Sequence, residues 1–194
     1  MPSNVAGYLS PSTTPAPLED DALDDFLGDV VAGITLLDRD NLVRPRWQDD
    51  PPIIPDRTVT WCAIAVTNHE PDAYAWTGLA TDGLSQDIIR HETLTIMATF
   101  YGPLSASTAC LFRDGLMIEQ NREALMTAGF GLITTMGPTN APELIKEKWY
   151  NRSDITWKTR REIRRTYPIL SLLSAHGTIY TDRETVVFDT ALPT

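Results

Sequence analysis

One stretch, residues 91–128, constrains the fold more than any other, because a strand pattern passes directly into a helix pattern there. Apolar side chains recur first at every second position, at Leu94, Ile96, Ala98 and Phe100. That two-residue period is typical of a half-buried strand. Gly102 and Pro103 then end the strand, since glycine accepts a turn and proline suits a first helical position.

After Pro103 the pattern changes to helical spacing. The recurring residues are Leu104, Thr108, Leu111, Phe112 and Leu116. This helix should break or bend at Asp114-Gly115, and a second helix should run from Gln120 to Ala128, with Gly129 as its stop. We expect one contact cluster of strand and helix residues, formed by Leu94, Ile96, Phe100, Leu104, Leu111 and Phe112. Truncating Leu111 to alanine should then lower the free energy of unfolding by roughly 2–5 kcal/mol.

The remaining patterns place this unit in a larger α+β domain. An amphipathic helix is predicted over residues 18–34. Strands are predicted over residues 60–67, 74–80, 130–136, 154–167, 169–180 and 184–190. Proline-rich residues 38–57 and residues 138–149 are predicted to be loops. The expected fold is a mixed, largely antiparallel β-sheet with two or three helices packed mainly on one face. Residues 1–17 form a flexible arm, and residues 18–194 form one domain.

Composition limits the function. The 194 residues carry a formal net charge of −10, which argues against general binding to nucleic acid or to an anionic membrane. No stretch approaches the roughly 18 apolar residues of a membrane span, and the first residues lack the features of a signal peptide. Cys62 and Cys110 lie in predicted core elements and suggest reduced thiols, although a disulfide between them stays open.

Motifs for chemistry are weak throughout. The strand-to-helix junction has no lysine of a phosphate-binding loop, and no nucleophile elbow is present. The segment His69–Asp72 offers nitrogen and oxygen ligands, but it lacks the spacing that supports a zinc site. We therefore predict no catalytic residue, no cofactor and no metal, and the protein is not expected to be an enzyme.

The strongest anomaly is the separation of charge. Half of the 16 basic residues lie within residues 146–165, whereas the predicted first helix is acidic. Such a basic run is typical of an exposed edge strand whose charges block aggregation, and equally of a surface for self-association. The loop residues Arg44, Arg46 and Trp47 either cover the core or contact a partner. The candidate interface residues are Asp20, Asp21, Asp24, Asp25, Arg44, Arg46, Trp47, Arg160, Arg161, Arg164 and Arg165.

Several short strings, taken in order, resemble the neck-terminator or tail-terminator-like proteins of tailed bacteriophages. They are VRPRWQ at 43–48, TWCA at 60–63, FYGP at 100–103, LFRDGL at 111–116, QNR at 120–122 and WYNRSD at 149–154. The resemblance covers about residues 18–182. It implies an α/β subunit of a six-fold ring that caps the head-proximal end of the tail tube.

The resemblance also implies partners and a location. The partners are copies of the chain in a hexamer, the tail tube protein and the head-completion or connector protein, with genomic DNA passing through the lumen without specific binding and no membrane involved. The location is the virion neck or tail, with assembly in the host cytoplasm. Two alternatives stay open, namely a head-completion or baseplate protein and a small hydrolase that uses His91 with a nearby carboxylate.

Overall fold

The computed structural model describes residues 7–12, 15–48, 53–145, 147–169, 174–180 and 185–191. The described helices are α1 (Asp20–Thr35), α2 (Arg39–Leu42), α3 (Ser105–Leu116) and α4 (Glu119–Thr127). The strands are β1 (Val43–Pro45), β2 (Trp61–Pro71), β3 (Trp76–Leu79), β4 (Ser85–Tyr101), β5 (Phe130–Thr135), β6 (Thr139–Asn140), β7 (Glu143–Ile145), β8 (Lys148–Tyr150), β9 (Arg152–Pro168), β10 (Ser174–Tyr180) and β11 (Thr185–Ala191). The α+β class is confirmed, with four helices in the described part of the chain.

The main sheet has the strand order β1-β2-β4-β9-β5. Strand β1 pairs with β2 in parallel, whereas β2 pairs with β4, and β5 with β9, in antiparallel fashion. Strand β3 adds to β4, and β6 adds to β9. The pairs β7–β8 and β10–β11 form separate two-stranded antiparallel sheets. The predicted mixed, largely antiparallel sheet is therefore present.

Two compact units make up the chain. The larger unit comprises residues 15–75 and 89–164, and the smaller comprises residues 1–14, 76–88 and 165–194. In the smaller unit, the Ser12 amide donates to the Thr166 carbonyl at 2.7 Å, so described residues of the predicted arm are tied down there. Residues 1–6 and 13–14 of that arm, and parts of the segments 169–180 and 184–190, lie outside the described residues. The expectation of one domain over 18–194 stays a prediction.

The core of the larger unit lies between the sheet and helices α1, α3 and α4. Alternate residues of β2, β4 and β9 point into it, which is the expected consequence of the pleat. Aromatic contacts join the layers, because Phe112 of α3 packs against Phe100 at a centroid distance of 5.9 Å and against Trp157 at 5.0 Å. The predicted core positions Leu94, Ile96, Phe100 and Phe112 are all buried.

Helix α3 uses a different face from the one predicted. Its buried residues are Ser105, Ala109, Phe112 and Leu116. Leu104 is the exposed N-cap, and Leu111 is 51% exposed, so the predicted role of both in the core is wrong. Adjacent residues differ by about 100° around a helix, so the face that buries Ala109, Phe112 and Leu116 leaves Leu111 outside it. The predicted break between two helices is present but lies two residues later than Asp114-Gly115, since α3 ends at Leu116 and α4 begins at Glu119.

Three other local predictions are wrong. Residues 38–57 contain helix α2 and strand β1, because only Pro45 falls within these elements and it lies at the edge of the sheet. Residues 138–149 contain β6, β7 and the start of β8. The basic strand β9 is not an edge strand, since it lies between β4 and β5.

The opposite face of the sheet carries a second, smaller cluster. Trp61, Ala63 and Tyr101 are buried there, and the Trp61 and Tyr101 rings stack at 4.4 Å. Gly102, directly after Tyr101, has φ +99°, and a Cβ at this position would lie 2.3 Å from the Val59 carbonyl oxygen. The predicted turn at Gly102 therefore requires glycine.

Candidate subunit interface

The first two turns of α1 present four carboxylates. Asp20, Asp21 and Asp25 are exposed, whereas Asp24 is half-buried. Burial is the main cause that raises the pKa of Asp24 above its ordinary value of 3.8, followed by the neighbouring aspartates. Asp24 is therefore repelled by its neighbours as well as partly desolvated. Asp25 differs, because its carboxylate accepts from Arg39 Nη2 at 2.9 Å.

Arg161 attaches this helix to the sheet. Its side chain is 5% exposed, and Nε donates to Glu92 Oε1 at 2.6 Å. Nη1 donates to the Leu18 carbonyl just before α1, and the guanidinium lies 5.7 Å from the Phe130 ring centroid. A buried arginine with this many partners orients the elements around it.

A β-bulge between Val66 and Asn68 brings a third ionisable group to the same place. The register of β2 against β4 shifts there, which places His69 on the same sheet face as its partner Leu94, with its side chain 50% exposed. His69 Nδ1 then lies 3.7 Å from Glu92 Oε1.

An open cleft of about 450 Å³ joins these groups to the start of α1. Its lining residues are Glu19, Asp20, Leu23, Asp24, Trp47, Val66, His69, Glu92 and Arg161. Trp47 is 66% exposed and forms an aromatic wall beside the carboxylates. An acidic cleft with one aromatic wall suits a cationic side chain, which gains both ion pairing and a cation–π contact.

Arg160 and Arg164 point to the face of β9 opposite Arg161, because successive strand residues alternate. Arg160 Nη2 bonds to Asp72 Oδ2 at 2.6 Å, and Arg164 Nη2 lies 3.5 Å from Glu162 Oε1. Both side chains remain about half exposed, and Arg165 is half-buried. The structure thus separates Arg161 from its neighbours, whereas the sequence presented them as one basic run. Lys146 of that run lies outside the described residues.

The two loop arginines differ in their partners, since Arg44 bonds within its own loop and Arg46 reaches strand β4. Arg44 donates to the carbonyls of Asn41 at 3.1 Å and Ile53 at 2.8 Å. Arg46 Nη1 lies 3.7 Å from Met97 Sδ. Both residues are half-buried, so Trp47 is the most exposed of the three predicted loop contacts.

The sequence prediction missed Glu92 and His69. Along β4, Glu92 alternates in step with Leu94 and Ile96, so its side chain points to the same face as theirs. Along β9, Arg161 points to the same face as Trp157. A carboxylate and a guanidinium at inward positions of two neighbouring strands predict a buried ion pair, so the alternation contained that signal. His69 had no comparable signal, because the bulge that places it on the same face as Glu92 is not visible in the sequence.

The structure gives little support to catalytic chemistry at His91. Its Nε2 lies 3.7 Å from Glu162 Oε2, and both side chains are nearly half exposed to water. Among the described residues, no group of three or more His, Cys, Asp or Glu side chains is arranged to hold a metal ion. In the same ranges, no helix is long and apolar enough to cross a membrane. Cys62 is buried, Cys110 is exposed, and both are free thiols.

These features define an α+β protein whose distinctive surfaces are charged and aromatic and suit contacts with other chains. The profile of the family described as phage neck terminator protein matches residues 21–184. That match covers most of the chain, which therefore belongs to the phage neck terminator family, a family of structural proteins of the virion neck. The predicted resemblance is confirmed. A search of curated proteins gives no match.

Proposed function

We propose that the protein forms a homohexameric ring that caps the head-proximal end of the tail tube and joins it to the head–neck connector. Membership of the neck terminator family over residues 21–184 carries this proposal. The separation of acidic and basic surfaces supports a ring, because a closed ring needs two different patches that meet heterologously. Like patches would repel in a two-fold dimer.

The acidic cleft and the outward arginines of β9 are the candidate patches. Arg160 or Arg164 of one subunit enters the cleft beside Asp20, Asp24 and Trp47 of the next. Arg161 holds Glu92 within its own subunit and supports the cleft from inside. Each exposed ion pair contributes only about 0–1 kcal/mol, so the charges set register more than affinity.

Two measurements test the ring itself. Native mass spectrometry should give a particle six times the 21.6 kDa chain mass, about 130 kDa. Labelling in virions should place the protein between head and tail. A stable monomer under assembly conditions, or label at the baseplate, would contradict the proposal. Label confined to the portal side of the neck would favour a head-completion protein instead.

Charge reversal tests the pairing. Arg160→Glu with Arg164→Glu should weaken ring formation, and adding Asp20→Lys with Asp24→Lys should partly restore it. Arg57→Glu, at an exposed position away from the cleft, is the matched control. If the variant with all four substitutions assembles no better than the variant with the two arginine reversals alone, the proposed pairing is wrong, even if the ring itself forms.

The lumen should be neutral or acidic. Six copies of a chain with net charge −10 carry about −60 formally, so the ring repels DNA on average and lets it slide. Each lysine or arginine that neutralised a phosphate would add affinity by releasing counterions. Fluorescence anisotropy with duplex DNA should show no tight binding at low salt. Strong binding that falls steeply with salt would point to a basic lumen.

A further inference from the structure

The small hairpin β7–β8 presents a pair of apolar side chains to solvent. Leu144 and Trp149 are directly opposite in the register, so they lie on one face of the hairpin. Trp149 is 67% exposed, and Leu144 is similarly exposed. Exposed apolar pairs of this kind mark interaction sites more often than single scattered residues do.

The other face of the hairpin is anchored to the sheet. Ile145 and Tyr150 pack against the Trp61–Tyr101 cluster. Glu143 Oε2 accepts from the Tyr101 hydroxyl at 3.2 Å and from Arg152 Nη1 at 3.0 Å. A two-stranded hairpin is marginally stable alone, so these contacts hold Leu144 and Trp149 in a fixed position.

A matching recess lies between helices α1 and α4. This groove has a volume of about 290 Å³. Its lining residues are Phe26, Asp29, Val30, Gly33, Ile34, Asn121, Ala124 and Leu125. Asp29 is the charged residue among them, and its carboxylate already accepts from Arg39 Nε at 2.7 Å. The largely apolar groove and the exposed Leu144–Trp149 pair are therefore complementary in polarity.

The hairpin and the groove lie on opposite sides of the main sheet. The hairpin covers the face of Trp61 and Tyr101, and the helices cover the face of Cys62 and Phe100. Consecutive residues of a strand point to opposite faces, so one chain cannot insert its own hairpin into its own groove. In successive copies, however, the hairpin of one subunit can insert into the groove of the next, which is a heterologous contact.

We propose that Leu144 and Trp149 of one subunit insert into the α1–α4 groove of the next copy of the chain. This inference rests on the proposed ring and names an apolar contact within it. Tryptophan buries about 150–250 Å² and is enriched among residues that dominate binding. The contact supplies the affinity that exposed ion pairs lack.

Cross-linking between two tagged variants tests the geometry. Both carry Cys110→Ser, which removes the exposed native thiol, while Cys62 is buried and burial raises its thiol pKa. One variant adds Leu144→Cys and the other adds Gly33→Cys. Co-assembled and treated with a short bismaleimide, the mixture should give dimers that carry both tags. Dimers of Leu144→Cys with itself, or no mixed dimers in rings that do form, would overturn the proposal.

Blocking the groove gives an independent test. A Cβ added at Gly33 meets no described atom within 4 Å, and Gly33 lines the groove, so the side chain of Gly33→Phe starts from open space there. Gly137→Phe is the matched control, because its Cβ is equally unobstructed. Gly33→Phe should raise the concentration for half-maximal assembly about tenfold or more, with an unchanged melting temperature. Assembly equal to that of Gly137→Phe would contradict the inference.

Removing the tryptophan completes the test. Trp149→Ala should weaken assembly to a similar extent, whereas Tyr74→Ala, at another exposed aromatic residue, should not. If the wild type forms rings and Trp149→Ala forms them equally well, the hairpin contact is wrong and the ring stands. If the wild type forms no ring at all, the proposed function fails, and this inference fails with it.

Discussion

The two faces of strand β9 each carry an arginine–carboxylate ion pair, but in different surroundings. Arg160 bonds to Asp72 and Arg161 bonds to Glu92, each at 2.6 Å. Yet the Arg160 side chain is 43% exposed and the Arg161 side chain is 5% exposed. Water screens the first pair, whereas the second pair has lost most of its hydration and depends on its partners. Contact distance alone therefore does not tell which ion pair the fold requires.

The largest expected effect concerns the apolar part of the inner face. Trp157 is fully buried against Phe112, whereas Thr156 lies on the half-exposed face. Trp157→Ala should lower the free energy of unfolding by about 3–5 kcal/mol, because it leaves a cavity in the core. Thr156→Ala should change it by less than about 1 kcal/mol. Urea denaturation measures both, and similar values would mean that the two faces do not differ.

The next effect separates the two ion pairs. Glu92→Met leaves Arg161 buried without its carboxylate, and we expect a loss of about 3 kcal/mol in the free energy of unfolding. Adding Arg161→Met should recover much of it, since a buried pair replaced by apolar residues is often neutral. If the double variant is no more stable than Glu92→Met, the buried charge was not the cause of the loss.

On the outer face the corresponding effect is small. Asp72→Asn removes the carboxylate from Arg160, and we expect a loss of no more than about 1 kcal/mol. That loss should shrink further in 1 M salt, where the Debye length is about 3 Å. A loss as large as that of Glu92→Met, unchanged by salt, would remove the distinction between the faces.

Much of the fold was predictable, and the error in the buried face of α3 has a clear physical cause. Periodicity located the strand-to-helix unit and most strands, because buried faces repeat every 2 or 3.6 residues. It failed where small residues hold buried positions. Ser105 and Ala109 are buried on α3, whereas the larger Leu111 is exposed. The helices approach closely on the inner side of α3, since a Cβ at Gly115 would lie 2.3 Å from Ile34 Cγ2.

The candidate site was predicted only in part. The acidic start of α1 and Trp47 do line one cleft. Arg161 was grouped with its basic neighbours because the run of charge was given more weight than the alternation of β9. The hairpin β7–β8 was missed because strands of three residues are too short to show a period. The exposed Trp149 can be recognised as part of an apolar pair only when the structure places Leu144 opposite it.

The smallest effect lies at the acidic cleft and depends on pH. Burial, and then the carboxylates of Asp21, Asp25 and Asp20, raise the pKa of Asp24 in the folded state above its ordinary value of 3.8. At any pH between 3.8 and the raised pKa of Asp24, the folded chain binds more protons than the unfolded chain. The free energy of unfolding therefore falls as pH rises from below 3.8 through the raised pKa. At neutral pH the ionised Asp24 opposes folding slightly.

Asp24→Asn should thus raise the melting temperature modestly at pH 7, and the gain should vanish below the unfolded value of 3.8. Asp38 provides the opposite control, because hydrogen bonds from the Asn41 side chain and then the Asp40 amide lower its pKa. Asp38→Ala should lower the melting temperature at pH 7, and that loss should disappear in acid. If the proposed ring forms and a neighbour's arginine enters the cleft, the arginine should lower the pKa of Asp24. The gain from Asp24→Asn should then become a loss in assembled protein, and a gain of equal size in monomer and ring would place that arginine elsewhere.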